Sequence, residues 1–252
     1  MSKVACLGPK GTFTSQAAEK LYPGAELEYV DDVEDVFEHV KEGSGEGVVA
    51  VENSLEGSVG KTMSCLLDYD IYISGEVTLD ISLCLIADEG VNRGDVKVVR
   101  SHPHALAQCR KALAGLKTQS TSSTAAAIRE VKGKKDVVAV GTKEAAEDYG
   151  MKVLEDGIQD LDSQTRFIAL AKEDKGGEKT SVIFALKDEP GALYNILKVF
   201  ADEGINLTKI ESRPSRRKLG EYLFYVDYEN QGKDLSAQLK ERTDFYKYLG
   251  SY

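Results

Sequence analysis

The segment Asp162-Ser163-Gln164-Thr165-Arg166-Phe167-Ile168 sets a hydroxyl, on Thr165, directly beside a permanent cation, on Arg166, at the entry to an apolar run. A hydroxyl and a guanidinium so placed can hydrogen-bond and charge-pair with an anionic ligand. Strand alternation sends Thr165 and Phe167 to one face and Arg166 to the other, or to a strand mouth. Four more short polar clusters close apolar runs: Gly8-Pro9-Lys10-Gly11-Thr12-Phe13, Glu52-Asn53-Ser54-Leu55-Glu56-Gly57-Ser58, Ser101-His102-Pro103 and Ser122-Ser123-Thr124. Together they read as strand-end loops converging on one anionic small molecule.

Each cluster also has a plainer reading. Gly8 to Phe13 is a glycine-rich turn entering a helix, whose N–H groups suit an anion and which serves equally as a tight turn. It has neither a P-loop ending nor dinucleotide spacing. Asn53 and Ser54 follow an apolar strand, and Ser54 and Ser58 can be a loop and a helix cap. A carboxylate at Glu52, against Val48 to Val51, is costly unless partnered. Ser101 opens a helix carrying Gln108 and Cys109 and can cap it, touch a ligand, or both. His102 and His104 have no evident Cys or acidic partner, which favours surface or supporting roles. Ser122, Ser123 and Thr124 form a helix start as suited to capping as to a carboxylate. No Ser-His-Asp order, GxSxG elbow or HExxH is present, which leaves nucleophilic hydrolysis and metalloprotease chemistry little support.

The elements that must position these clusters alternate. Strands are expected at Lys3 to Leu7, Glu26 to Val30 and Gly47 to Val51, each followed by a helix, ending near Leu21, at Val33 to Val40 and at Val59 to Leu67. This is the rhythm of a parallel, doubly wound sheet. Tyr72 to Ala87 is too long for one strand and reads as two joined through Glu76 to Asp80, a crossing between lobes. Strands at Val96 to Arg100, near Thr118 and at Val137 to Val140 then alternate with helices at Pro103 to Ala114, Thr124 to Val131 and Lys143 to Tyr149. Lys152 to Ile158 and Arg166 to Ala171 are the returning strands. Two α/β lobes joined by a double crossing leave a cleft at strand carboxyl ends, where ligands bind in such sheets. Lys172 to Lys179 is charged and Gly-bearing, the clearest linker. Beyond it come strand Ser181 to Leu186, helix Pro190 to Phe200, strands Ile205 to Ile210 and Leu219 to Tyr228, helix Leu235 to Leu239 and strand Phe245 to Leu249. That β-α-β-β-α-β order is ferredoxin-like.

The chain has 252 residues, 42% of them apolar, and a net charge of −10, which argues against nucleic acid and anionic membranes as partners. An anionic ligand therefore needs local donors working against a repulsive overall field. The N-terminus has no long apolar segment and no stretch reaches the roughly 20 apolar residues of a spanning helix, so the expected location is cytoplasmic. Cys6, Cys65, Cys84 and Cys109 are widely spaced, without CxxC or paired His, and suggest neither zinc nor a disulfide framework.

The blocks already quoted, with Val59, Gly141-Thr142, Ala145-Ala146, Gly191-Ala192-Leu193 and Ile205-Asn206-Leu207-Thr208-Lys209-Ile210-Glu211-Ser212-Arg213-Pro214, resemble the prephenate dehydratase family over nearly the whole chain. That resemblance implies a two-lobed catalytic domain like a periplasmic binding protein, residues 1–173, with lobe 1 at about 1–76 plus 160–173 and lobe 2 at about 77–159. It implies a βαββαβ ACT regulatory domain at 178–252. It implies that Thr165 is the principal catalytic residue, that Glu52, Asn53, Ser101 and Gln108 line the cleft, and that Arg166 lies near the substrate carboxylates. Phe167, Gly11, Thr12, Phe13, Ser54, Ser122, Ser123 and Thr124 are the further substrate-binding candidates. Gly191, Ala192, Leu193, Asn206, Leu207, Glu211, Ser212, Arg213 and Pro214 are the effector-binding candidates, meeting across a homodimer, or a tetramer built from it, to hold phenylalanine. In one respect the chain departs: Ser163 stands where the family usually has Asn.

Prephenate loses CO2 and water to give an aromatic ring, so the resemblance implies no redox cofactor, and none is expected. Hydroxide leaves poorly, and a donor must hydrogen-bond or protonate the departing oxygen. Thr165 is one candidate; Glu52, were burial to raise its pKa, is the other. Arogenate, the aminated analogue, is an alternative substrate, and a non-catalytic two-lobed small-molecule sensor an alternative class.

Overall fold

A computed structural model describes residues 3–215 and 221–252. The chain begins with β1 (Lys3–Leu7), α1 (Phe13–Leu21), β2 (Glu26–Val30), α2 (Val33–Lys41), β3 (Gly45–Asn53), β4 (Gly57–Ser58), α3 (Gly60–Asp68) and β5 (Tyr72–Ile81). It crosses to β6 (Cys84–Ala87), β7 (Val98–Ser101), α4 (Pro103–Gln108), β8 (Lys117–Ser120), α5 (Thr124–Val131), β9 (Val137–Gly141), α6 (Lys143–Asp148) and β10 (Lys152–Glu155). β11 (Ser163–Ala171) returns to the first lobe. Then follow β12 (Lys179–Ala185), α7 (Ala192–Asp202), β13 (Leu207–Pro214), β14 (Tyr222–Glu229), α8 (Ser236–Glu241) and β15 (Phe245–Ser251). Leu219, expected at the start of β14, lies outside the described residues.

The first lobe's sheet runs β2-β1-β3-β11-β5, with β4 beside β3, and the second lobe's runs β10-β6-β9-β7-β8. Neither is wholly parallel, as the strand–helix rhythm had suggested. β11 is antiparallel to both β3 and β5, and β6 to both β9 and β10, because in each sheet the reversed strand has just crossed from the other lobe. The crossing itself lies after Ile81. Glu76 to Asp80 do not break the strand, since they pair with Ile168 to Gln164 of β11 in an unbroken register and Val77 and Leu79 pack on the α1 side of the sheet. α4 is also shorter than expected. Asp160, in the loop before β11, donates its N–H to the Gln108 carbonyl at 2.6 Å and accepts from the Lys111 N–H at 3.0 Å, taking the backbone groups a longer helix would use.

The C-terminal sheet runs β13-β14-β12-β15, a ferredoxin-like order. Alternation along β12 divides its side chains: Val182 and Phe184 face α7 and α8, while Ile183 joins Leu223, Tyr225 and Leu249 in one core with Met63, Leu66, Ile73 and Ile168 of the first lobe. The sheet is thus covered on both faces, by its own helices and by the first lobe. Tyr225 donates its hydroxyl to the Met63 carbonyl at 2.9 Å across the joint. Among the described residues no helix is long and apolar enough to cross a membrane.

Because that core is shared, Ile183→Ala is expected to destabilise both modules together, by about 2–5 kcal/mol for a fully buried isoleucine. Urea unfolding followed by circular dichroism and tyrosine fluorescence checks this. One transition moving to lower denaturant is expected; two transitions, of which only one moves, would show separate cores.

Candidate active site

β3 and β11 pair with Thr165 opposite Asn53 and Arg166 opposite Glu52 at the cleft end of the ladder, and a register shift between Arg166 and Phe167 sets these two pairs off from the rest, where Phe167 stands opposite Ala50. Asn53 closes an Asx turn: its Oδ1 accepts from the Leu55 N–H at 2.9 Å and the Glu56 N–H at 3.1 Å. With the oxygen so engaged, the amide nitrogen must face the other way, and it donates to Thr165 Oγ1 at 2.9 Å. Thr165 is therefore an acceptor towards Asn53, and its own proton is free for a ligand.

That hydroxyl lies in a cavity of about 640 Å³ between the lobes. Thr12, Phe13 and Thr14 at the start of α1, Val59 and Gly60 at the start of α3, and Ser122, Ser123 and Thr124 at the start of α5 all line it. Three helices of eight or nine residues thus turn their N-termini on one space. Thr12 caps α1 by accepting from Ser15 and Ser123 caps α5 by accepting from Ala126, whereas Val59 gives α3 no side-chain cap. Among the described residues the lining contains no Lys or Arg; its titratable groups are Asp31, Glu56, His102 and His104. Positive potential therefore comes from helix dipoles and N–H groups.

At the rim, Glu56 of lobe 1 reaches two groups of lobe 2, His104 Nδ1 at 2.6 Å and Gln108 Nε2 at 3.4 Å. This supplies the acidic partner that the sequence around His104 lacks. Burial, with His104 nearby, lowers the His102 pKa against the opposing pull of Glu56, so His102 is neutral at pH 7. Burial likewise pushes the thiols of Cys6, Cys84 and Cys109 up to about 12, which leaves them unreactive.

The prephenate dehydratase family model matches residues 4–175, and the ACT domain model matches residues 180–237. The chain belongs to the prephenate dehydratase family. It is 44% identical over 263 residues to a prephenate dehydratase of Methanocaldococcus jannaschii, covering 97% of this chain and 95% of that relative. The crystal structure of a prephenate dehydratase from Arthrobacter aurescens in complex with L-Phe superposes with a TM-score of 0.88 at 33% identity, over 98% of this chain and 89% of that one. A structure named GqqA, a novel type of quorum quenching acylase, superposes with a TM-score of 0.87 at 27% identity, over 98% of this chain and 96% of the other.

Several residues expected at the family's cleft lie elsewhere. Arg166 points away from it, on the opposite face that alternation offered as one of two placements: its guanidinium is 2.6 Å from Asp227 of the regulatory domain and 3.3 Å from Glu76 of β5. Burial opposes that charge, but Asp227, with Tyr252 and Glu76, more than offsets it and raises the Arg166 pKa above the ordinary value. Glu52 also faces the regulatory domain, 2.9 Å from Lys209 Nζ, and does not line the cavity. Ser101 is fully buried and donates to the Val140 carbonyl at 2.7 Å, tying β7 to β9. Gly11 turns to lobe 2, where its carbonyl accepts from Thr142 at 3.1 Å and its φ of +85° allows the chain to pass within contact of Ala145. Ser54 accepts from the Gln164 N–H at 2.9 Å and faces a smaller neighbouring hollow with Ser163, whose buried Oγ has no partner among the described residues.

Asn53, Gln108, Thr12, Phe13, Ser122, Ser123, Thr124, Thr165 and Phe167 do line the cavity. In the regulatory domain Gly191, with φ +88°, caps α7 ahead of Ala192, and Leu193 is exposed. The Asn206 carbonyl accepts from the Glu229 N–H at 3.1 Å, and Leu207 opens β13. Glu211 and Arg213 face lobe 1, at Ser58 and Gly60, whereas Ser212 and Pro214 face outward.

Thr165→Val keeps the side chain's shape and removes its donor, so kcat for the reaction proposed below should fall about a hundredfold or more while ligand binding persists. Thr165→Ser should retain part of the activity. Steady-state kinetics with calorimetric binding checks this; near-normal kcat in Thr165→Val would take Thr165 out of the mechanism.

Proposed function

We propose that this chain is a prephenate dehydratase, converting prephenate to phenylpyruvate, CO2 and water, and that phenylalanine inhibits it through the ACT domain. The observation that carries the reading is the Asn53-held hydroxyl of Thr165 in a cavity ringed by helix N-termini. As the bond to the ring carboxylate breaks, its electron pair enters the ring and completes the aromatic system. The hydroxyl at the far side of the ring departs with the electrons of its C–O bond and, with one proton taken up, leaves as water. Charge grows on that oxygen, and a hydrogen bond from Thr165 stabilises it most where it is largest, in the transition state. Glu52 faces away from the cavity, which favours Thr165 as the donor.

The substrate is a dianion. With no Lys or Arg among the described lining residues, its side-chain carboxylate suits the N–H groups at the start of α1, α3 or α5, while the ring carboxylate, left against Phe13 and Phe167, loses hydration and decarboxylates more readily. Acyl transfer fits less well: Thr165 sits beside an amide donor, where an activated nucleophile needs a base.

We assign residues 1–173 to catalysis and 178–252 to regulation. The exposed Leu193, Tyr194, Ile210 and Tyr222 of the regulatory domain support pairing of two copies there, with phenylalanine bound between Gly191-Ala192-Leu193 and the outward face of β13. The chain's four cysteines are free and buried, which suits a reducing cytoplasm.

Purified protein given prephenate should form phenylpyruvate, read by its ultraviolet absorbance, faster than it consumes arogenate, and added phenylalanine should lower the rate. No turnover of prephenate would refute the reading; turnover indifferent to phenylalanine would refute its regulatory half.

A further inference from the structure

Arg166 and Glu52 are partners across β11 and β3, one step along the ladder from Thr165 and Asn53. Lys209 and Asp227 are partners across β13 and β14 of the regulatory sheet. The two pairs face each other with opposite signs: Glu52 meets Lys209 at 2.9 Å and Arg166 meets Asp227 at 2.6 Å. The Arg166, Asp227 and Lys209 side chains are 14%, 8% and 9% exposed, so three of the four charges are largely withdrawn from water.

The surroundings hold this arrangement. Asp227 also accepts from Ser181 Oγ at 2.6 Å, and Arg166 is backed by Glu76, itself 2.8 Å from Lys179. Lys209 donates to Ser58 Oγ at 2.7 Å, and Ser58 donates to Glu211. Lys209, Glu211 and Arg213 alternate along β13 towards residues 52–60, the stretch that carries Asn53 and lines the cavity with Glu56 to Gly60.

A buried charge that loses its partner is costly, so the two strand pairs resist sliding past one another. Displacement of β13 and β14 is passed to β3 and β11, and with them to the hydrogen bond between Asn53 and Thr165. We propose that Glu52 and Arg166 are positioning residues for the reaction, and that the cluster they form with Lys209 and Asp227 is the joint through which the regulatory domain acts on the cleft. This rests on the prephenate dehydratase reading, and it gives the two charged residues expected in the cleft a different task.

The test uses full-length Asp227→Asn and Lys209→Met, neither of which touches the cavity. Expected are a fall in kcat of about tenfold with KM changed less than threefold, and phenylalanine that still binds by calorimetry but inhibits less deeply at saturation. The conservative Lys209→Arg should recover most of the loss. A purely structural cluster would instead lower the melting temperature and leave kcat and the depth of inhibition as in the parent. Folded variants with parental kcat and full inhibition overturn the proposal. If Asp227→Asn does not fold, Asp227→Glu replaces it and is judged by the same outcomes. Amide exchange across Ser163 to Phe167 supplies a readout independent of substrate: it should quicken in the Asp227 variant, and unchanged exchange counts against the joint. A parent enzyme that makes no phenylpyruvate refutes the activity reading, and the exchange measurement then decides the joint alone.

Discussion

The hydrogen bond from Asn53 to Thr165 is the constraint on which the rest of the site depends. It exists because β3 and β11 pair in one register, and a slip by one residue would turn Thr165 to the opposite face and bring Arg166 into the cleft. Two backbone N–H groups after β3 fix the Asn53 amide, so the direction of the bond follows from main-chain geometry. The hydroxyl's accepting role is fulfilled before any ligand arrives, and its proton is left to donate. Such prior arrangement lets a weak acid serve, since little reorganisation accompanies growth of charge on the departing oxygen.

The same register explains how an acidic chain, net charge −10, can receive a dianion in a cavity with no Lys or Arg among its described lining residues. Alternation turns Arg166 to the regulatory domain, where it meets Asp227, and Glu52 faces the same way, towards Lys209 of β13. The cavity depends instead on three helix N-termini, whose partial charges are fixed by the backbone and do not titrate. Each has its own side-chain arrangement: Thr12 caps α1, Ser123 caps α5 and α3 has no side-chain cap.

Much of this was legible in the sequence because local rules decided it. Polar clusters at strand ends marked Asn53, Thr165 and the helix starts, and alternation along residues 163–168 separated Thr165 from Arg166. The resemblance placed Arg166 and Glu52 in the cleft; for Arg166, alternation had offered the opposite face as one of two placements, and that is where it lies. Lys209 and Asp227 could not be found that way, since their partners lie far off in sequence and are brought near by packing of one sheet on another. The same holds for Glu56 and His104, on different lobes, and for Ser101, whose hydroxyl caps no helix but bonds a neighbouring strand. β5 misled for a different reason: the run from Tyr72 to Ala87 is too long for one strand and reads as two joined through Glu76 to Asp80, yet β11 pairs along Tyr72 to Ile81 and the division falls after Ile81.

Asn53→Asp tests the direction of the central hydrogen bond most directly. The replacement is nearly isosteric and can still accept from Leu55 and Glu56, but it offers Thr165 an oxygen in place of a donor, so the hydroxyl must turn its proton away from the ligand. If the account is right, kcat for phenylpyruvate formation falls about as far as on deleting the hydroxyl, on the order of a hundredfold, in a protein that remains folded. A folded Asn53→Asp enzyme with kcat within a few-fold of the parent would contradict it.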